Sequence, residues 1–253
     1  MLSKNKIKWI KSLDSKKRRI ESGLFLAEGN KLVSSILPFF ECELLIACPS
    51  WMAMQGDLKA NELLAVEAED IKKVSLLKNP QEVIAVFVQP SLSFKKEALE
   101  NELSLMLDGI QDPGNLGTII RLADWFGIKN IVCSPDTADV YNPKTVQASM
   151  GGIAQVHVFY VPLPELLAEL QHLPIYGAFL TGNNIYREKL SDKGIIVMGN
   201  EGNGIRPEPE KWISHRLYIP NYPSPTEATE SLNVAVATAI TCAEFRRQQV
   251  YGQ

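Results

Sequence analysis

Leu107-Asp108-Gly109-Ile110-Gln111-Asp112-Pro113-Gly114-Asn115-Leu116-Gly117-Thr118-Ile119-Ile120-Arg121 joins a short apolar run to an amphipathic segment through a turn dense in glycine, proline and aspartate. In that turn Asp108, Gly109, Asp112, Pro113 and Gly114 supply positive φ, fixed φ and side-chain turn bonds, so a sharp loop follows from the residues themselves. Beyond it Leu116, Ile119, Ile120, Ala123 and Phe126 recur at helical spacing, and Gly127 is placed to end the helix before a strand at Ile131-Val132-Cys133. Asn115 then stands at the helix start, with Arg121 about two turns along. Such a strand-loop-helix corner exposes free backbone N–H groups and the positive end of the helix dipole, which suits an anion or a polar cofactor. An ordinary helix cap with a solvated arginine satisfies the same residues. The spacing is not the GxGxxG dinucleotide fingerprint and no GxxxxGK[ST] loop occurs, so hydride transfer and nucleotide hydrolysis lose their usual support.

Two later corners share this character. Gly194-Ile195-Ile196-Val197-Met198-Gly199 reads as a buried strand, and Asn200-Glu201-Gly202-Asn203-Gly204 as a glycine-rich loop at its end. Glu201 could accept a hydrogen bond from a ligand, anchor a neighbouring loop, or be a solvated carboxylate on a surface turn. The third corner follows a strand at Arg216-Leu217-Tyr218-Ile219-Pro220. From Ser231 its helix is rich in alanine and valine through Ala243, which predicts burial, including burial in a subunit interface. Ser231 and Asn233 at its start are residues that commonly cap helices.

The chain has 253 residues, 45% of them hydrophobic, which is ample for two domains with their own cores. Alternating short apolar runs predict a smaller α/β domain over 1–90: strands 24–27, 43–47, 64–66 and 82–87, with helices at 30–39, near Trp51 and at 69–77. Residues 91–103 read as a linker. Strands near 104–108, 130–134, 155–160, 175–180, 194–199 and 216–220 alternate with helices over 104–253, the pattern of a mostly parallel sheet covered on both faces. Every apolar run is shorter than a bilayer span and the N-terminus lacks a secretion-type apolar region, which predicts a cytoplasmic protein with no membrane partner. Cys42, Cys48, Cys133 and Cys242 lack metal-ligand spacing and lie in apolar runs, as buried reduced thiols would. The formal charge of −3 is unevenly placed: residues 1–20 carry eight Lys or Arg against one Asp, leaving −10 for the rest. That cluster is either a solvated basic helix or an electrostatic footprint for phosphates.

Taken in order, the three corners resemble the motifs of the SpoU/TrmH family of RNA ribose 2′-O-methyltransferases in the SPOUT superfamily, over residues 104–250. Lys8-Trp9-Ile10-Lys11-Ser12-Leu13, the basic Lys16-Lys17-Arg18-Arg19 and Gly23-Leu24-Phe25-Leu26-Ala27-Glu28-Gly29 resemble the RNA-binding substrate domain often fused to it. The resemblance implies an α/β fold closed by a C-terminal trefoil knot, S-adenosylmethionine as cofactor, no metal, and a homodimer with its active site near the subunit boundary. It implies methylation of a ribose 2′-hydroxyl in structured RNA, with the separate first domain favouring rRNA over tRNA. The catalytic cluster it implies is Asn115, Arg121, Glu201, Ser231 and Asn233. Leu180, Thr181, Gly199, Asn200, Glu201, Gly204, Ile219 and Leu232 would hold the cofactor. A guanidinium is almost never deprotonated in a protein, so chemistry favours Arg121 as a phosphate clamp over a general base. The chain departs from the family's short Ile-Pro-Met-x-Gly loop, since residues 221–229 separate Pro220 from Glu230, and Ser224-Pro225-Thr226-Glu227 reads as a capping box that starts a helix early. That altered loop supports the alternative of an RNA-binding protein with a methyltransferase-like fold and no turnover.

Overall fold

The computed structural model of the protein describes residues 2–222 and 231–252. Two compact units form: residues 1–91 with 139–154, and residues 92–138 with 155–253. In chain order the first stretch comprises α1 (Lys4–Ser12), α2 (Lys16–Ser22), β1 (Leu24–Glu28), α3 (Asn30–Ile36), β2 (Cys42–Ala47), α4 (Pro49–Met52), β3 (Glu62–Ala65), α5 (Ala68–Val74) and β4 (Val83–Val88). It continues with β5 (Leu103–Asp108), α6 (Pro113–Trp125), β6 (Asn130–Cys133), α7 (Pro143–Ser149), β7 (His157–Tyr160) and α8 (Leu163–Glu169). The last elements are β8 (Ile175–Asn184), β9 (Gly194–Gly199), α9 (Pro207–Glu210), β10 (His215–Tyr218) and α10 (Val234–Tyr251).

The first unit is built on a four-stranded sheet in the order β1-β4-β2-β3, in which β4 runs antiparallel to both neighbours and β2 parallel to β3. Its core gathers Ile10, Leu13, Leu26, Leu44, Ile46, Ile71, Val74, Ile84 and Val86. The segment 139–154, which the sequence reading kept with the second domain, belongs to this unit. Tyr141 stacks on Phe25 at 4.9 Å between ring centroids, and burial pushes its phenol up to about 12. Arg19 is 1% exposed: its Nε and Nη2 donate to Asp139 Oδ2 at 3.0 and 2.6 Å, and its Nη1 to the Leu13 and Asp14 carbonyls. One cation of the basic run is therefore an internal tie, since a buried guanidinium persists only when its donors are paired.

The second unit holds a six-stranded sheet in the order β10-β8-β9-β5-β6-β7, every pair parallel. Strands buried on both faces carry continuous apolar runs. Met106, Val132, Ile195 and Val197 face Leu163, Leu166, Leu167 and Leu170 of the α8 region. The alternate residues Leu105, Leu107, Ile196 and Met198 are also buried and point the other way, where α6 and α10 pack. All four cysteines are free and buried, and burial pushes the Cys42 and Cys242 thiols up to about 12, which makes them poor nucleophiles. No helix among the described residues is long and apolar enough to cross a membrane.

Candidate active site

The chain leaves β5 at Asp108 and turns through Gly109, whose φ of +72° is glycine territory. The Gly109 N–H donates to Ser134 Oγ at 2.8 Å and its carbonyl accepts from Asn200 Nδ2 at 2.7 Å, so the loops after β5, β6 and β9 are tied at one point. Asp112 then caps α6, its Oδ1 accepting the Asn115 N–H at 2.9 Å, and Pro113 takes the first helical position, where a missing N–H costs nothing. The cap holds Asn115 in the first turn, at the edge of the sheet where the parallel strands end.

Asn200 organises the second corner with both ends of its amide. Its Oδ1 accepts the N–H groups of Gly202 and Asn203 at 2.9 and 3.2 Å, while its backbone pairs with Gly204 in both directions at 2.9 Å. The turn is so close that a Cβ on Gly199 would lie 2.2 Å from the Gly204 carbonyl carbon. At the third corner Asn233 caps α10, its Oδ1 accepting from Ala235 and Val236 at 3.0 and 3.3 Å. The three corners meet in a relay: Asn233 Nδ2 donates to Asn115 Oδ1 at 3.0 Å, and Asn115 Nδ2 donates to Glu201 Oε1 at 2.7 Å. Residues separated by 86 and 118 positions in the chain are thus joined through one amide. Glu201 anchors a neighbouring loop, one of the roles the sequence left open for it.

The remaining candidates stand apart from this relay. Arg121 is exposed on α6, and no described residue pairs with its guanidinium. Ser231 is exposed and precedes the helix; the capping that sequence assigned to both Ser231 and Asn233 is done by Asn233 alone. Leu180 and Thr181 are exposed where the register of β8 against β10 jumps from Gly177↔Arg216 to Asn183↔Leu217, leaving residues 178–182 unpaired with β10. Ile219 is half-buried and Leu232 is 48% exposed. The capping box expected at Ser224-Pro225-Thr226-Glu227 lies outside the described residues.

Sequence reasoning passed over one group beside the glycine loop. Asp108 is 1% exposed, and its carboxylate accepts from Arg206 through the backbone N–H at 2.8 Å, through Nε at 2.8 Å and through Nη2. Arg206 Nη2 also reaches Asp136 Oδ1 at 3.1 Å. A hydrogen bond from Ser134, then the backbone and the charge of Arg206, hold the Asp136 carboxyl below its ordinary value, while Asp108 pushes the Arg206 guanidinium further up. In the sequence Asp108 is one more turn residue and nothing about the spacing of Arg206 marks it; the pairing is set by the fold. Together they clamp the loop that carries Glu201 to the end of β5. Among the described residues no group of three or more His, Cys, Asp or Glu could hold a metal ion.

The profile of the SpoU rRNA methylase family matches residues 102–243, and that of the MRM3-like substrate-binding domain matches residues 4–85. The chain belongs to the SpoU rRNA methylase family. This SpoU methylase is 34% identical over 247 residues to the 23S rRNA (guanosine(2553)-2′-O)-methyltransferase RlmP of Bacillus subtilis, covering 95% of this chain and 96% of that one. A solved TrmH-family protein from Porphyromonas gingivalis is 41% identical with a TM-score of 0.88, covering 98% and 99% of the two chains. An rRNA methyltransferase from Sinorhizobium meliloti, solved with AdoMet bound, is 29% identical with a TM-score of 0.83, covering 99% and 97%.

Proposed function

We propose that this SpoU methylase transfers a methyl group from S-adenosylmethionine to a ribose 2′-hydroxyl of ribosomal RNA. The observation that carries the reading is the Asn233–Asn115–Glu201 relay, which fastens the three loops at the end of one parallel sheet beside the close turn at Gly199. The residues present fit the cofactor: a glycine turn whose residues 201–204 are exposed, and two exposed apolar side chains, Leu180 at 72% and Leu232 at 48%. Backbone groups of Gly199, Ile219 and Leu232 would hold it, with Leu180, Thr181, Asn200, Glu201 and Gly204 around it. When bound, it supplies a methyl group already activated on a sulfonium.

The protein's own work is then positioning and charge. The relay keeps Asn115 and Glu201 in one geometry, so the reacting hydroxyl meets a preorganised wall rather than mobile loops. Arg121, exposed and unpaired with any described residue, orients a phosphate of the target nucleotide, and the hydroxyl proton leaves to the RNA phosphate or water. Ser231 lies two residues from Asn233 and completes the polar wall. Ribosomal RNA is favoured over transfer RNA because a relative 34% identical across 95% of this chain is named as a 23S rRNA methyltransferase, and a cytoplasmic place of work is part of the same proposal.

The same reading includes a C-terminal trefoil knot around β8 to α10 and a homodimer. α10 supports the dimer. It is buried along Val234, Thr238, Thr241, Cys242 and Phe245, yet its opposite face presents Val236, Ala243 and Val250, with Ile240 half-buried and Arg247 among them. The sequence expectation of burial, including burial in a subunit interface, is consistent with this division, since the apolar residues on the outward side suit a second copy of the chain. The test is transfer of tritiated methyl from S-adenosylmethionine to ribosomal RNA lacking the modification. Label that disappears with Arg121→Ala is expected; RNA binding by the wild type without any label would return the chain to a binding protein.

A further inference from the structure

A groove in the first unit is lined by none of the residues assigned to methyl transfer. It lies between α1 and α2, encloses about 380 Å³ and is lined by Asn5, Lys8, Trp9, Leu13, Arg18 and Glu21 among others. Its floor is apolar because Ile10 of α1 and Leu13 just after it turn into the core, which leaves Trp9 half-buried and packed against the same cluster. Asn5 and Trp9 are one helical turn apart and so share the wall that faces α2.

The rim is cationic. Lys6 is taken up by Glu62 and Arg19 by Asp139, so these two contribute little to the surface field. Lys4, Lys8, Lys11 and Lys16 are exposed and make no ion pair with a described residue, and Lys17 and Arg18 share the single carboxylate of Glu21 at 3.9 and 2.9 Å. An exposed pair such as Arg18–Glu21 is exchanged at little cost when a phosphate arrives. An aromatic floor of this size under a cationic rim matches one ligand chemistry, an unstacked nucleobase with its flanking phosphates. An acidic peptide would use the rim and leave the aromatic floor without a partner, and a double helix cannot place a base inside a groove.

We propose that the groove between α1 and α2 takes an unpaired RNA nucleotide, its base against Trp9 and its phosphates on Lys8 and Arg18. The site deepens the RNA reading given above and rests on it: it is a second holding point for the substrate, on a different unit from the chemistry. The groove selects RNA with a single-stranded nucleotide and is blind to which base is methylated.

Full-length protein titrated with a fluorescent single-stranded oligonucleotide and with a hairpin whose bases are all paired tests this. Trp9→Leu is expected to weaken single-strand binding by about tenfold or more and hairpin binding far less, with Trp9→Phe retaining most of the affinity. Lys8→Ala/Arg18→Ala should lower the dependence of log affinity on log salt by about 1.4, two phosphates on a single strand. S-adenosylmethionine binding by calorimetry should be unchanged in all of them. Unaltered single-strand affinity in both Trp9→Leu and the double variant overturns the site, as does a glutamate-rich peptide competing equally well at matched charge. If Trp9→Leu unfolds, the double variant decides alone. Failure here is distinct from failure of the enzymatic reading: methyl transfer that persists with unaffected RNA binding in these variants removes only the groove, whereas groove-dependent RNA binding without transfer by the wild type removes only the enzyme.

Discussion

A Cβ on Gly199 would stand 2.2 Å from the Gly204 carbonyl carbon and 2.3 Å from the Ile205 nitrogen, backbone atoms that no rotamer change can move. Gly199→Ala must therefore open the turn that Asn200 closes, and we expect S-adenosylmethionine binding to fall by about 100-fold or more in calorimetry while the protein still melts cooperatively. Wild-type affinity in that variant would remove the turn from the cofactor site. Asn115 is a different kind of residue, since its amide both donates and accepts. Asn115→Ala breaks two hydrogen bonds at once, and turnover should drop about 100-fold with RNA affinity little changed. Asn115→Asp should be no better, because a carboxylate would face Glu201 where a donor is needed. Equal rates for Asn115→Asp and wild type would show that the relay is ornament. Arg206 works at one remove: with it gone, the Asp108 carboxylate stays buried without a counter-charge. We expect Arg206→Ala to destabilise by about 2–4 kcal/mol in denaturant melts, the lower part of the range for a broken pair because the guanidinium is 44% exposed. Asp108→Asn in the same background should recover part of that loss.

Among the elements, α10 carries the most legible and the most misleading pattern. Alanine and valine through Ala243 say burial, but one sequence cannot tell burial inside a fold from burial against a second copy. The structure separates the two by rotation about the helix axis: Thr238, Thr241, Cys242 and Phe245 turn inward, and Val236, Ile240 and Val250 turn out, the last 67% exposed. Glutamate at Val236 and Ile240 together should give a monomer by light scattering at micromolar concentration where the wild type is a dimer, with the helix itself intact by circular dichroism. A wild type that is already monomeric would leave the outward face without a purpose in assembly. The strands were easier. Six apolar runs in the second half became six strands within a few residues of their expected places, most cleanly at β5, β6 and β9, where a strand buried on both faces has nothing polar to confuse the pattern. The excursion at residues 178–182 of β8 was invisible for the opposite reason, since register is set by the partner strand and not by the run itself.

For the molecule as a whole, periodicity gave the two α/β layers and turn chemistry gave the three corners, but neither could say which corners meet or which segment belongs to which core. Local pattern places Asn115, Glu201 and Asn233 at the corners and the family resemblance groups them as a site, whereas the hydrogen bonds of their relay, the Asp108–Arg206 clamp and the burial of Arg19 depend on residues far apart in the chain. The segment 139–154 shows the limit best. It lies between β6 and β7 of the second sheet, and a division at the 91–103 linker reads as complete, yet the segment packs on β1. Its Asp139 is the partner of the buried Arg19, and its Tyr141 covers Phe25. A fragment ending at Ser91 would keep the four strands and lose all of that: an arginine 1% exposed would have no carboxylate, and an aromatic face of the core would meet water. Leaving one buried charge unpaired costs about 3–5 kcal/mol, a large fraction of the stability of a domain this small. The fragment 1–91 should therefore show no cooperative melt, while the same fragment joined through a glycine-serine linker to residues 139–154 should regain one. A sharp thermal transition in the short fragment, close to that of the joined one, would mean that the segment is an accessory to this unit and not part of its core.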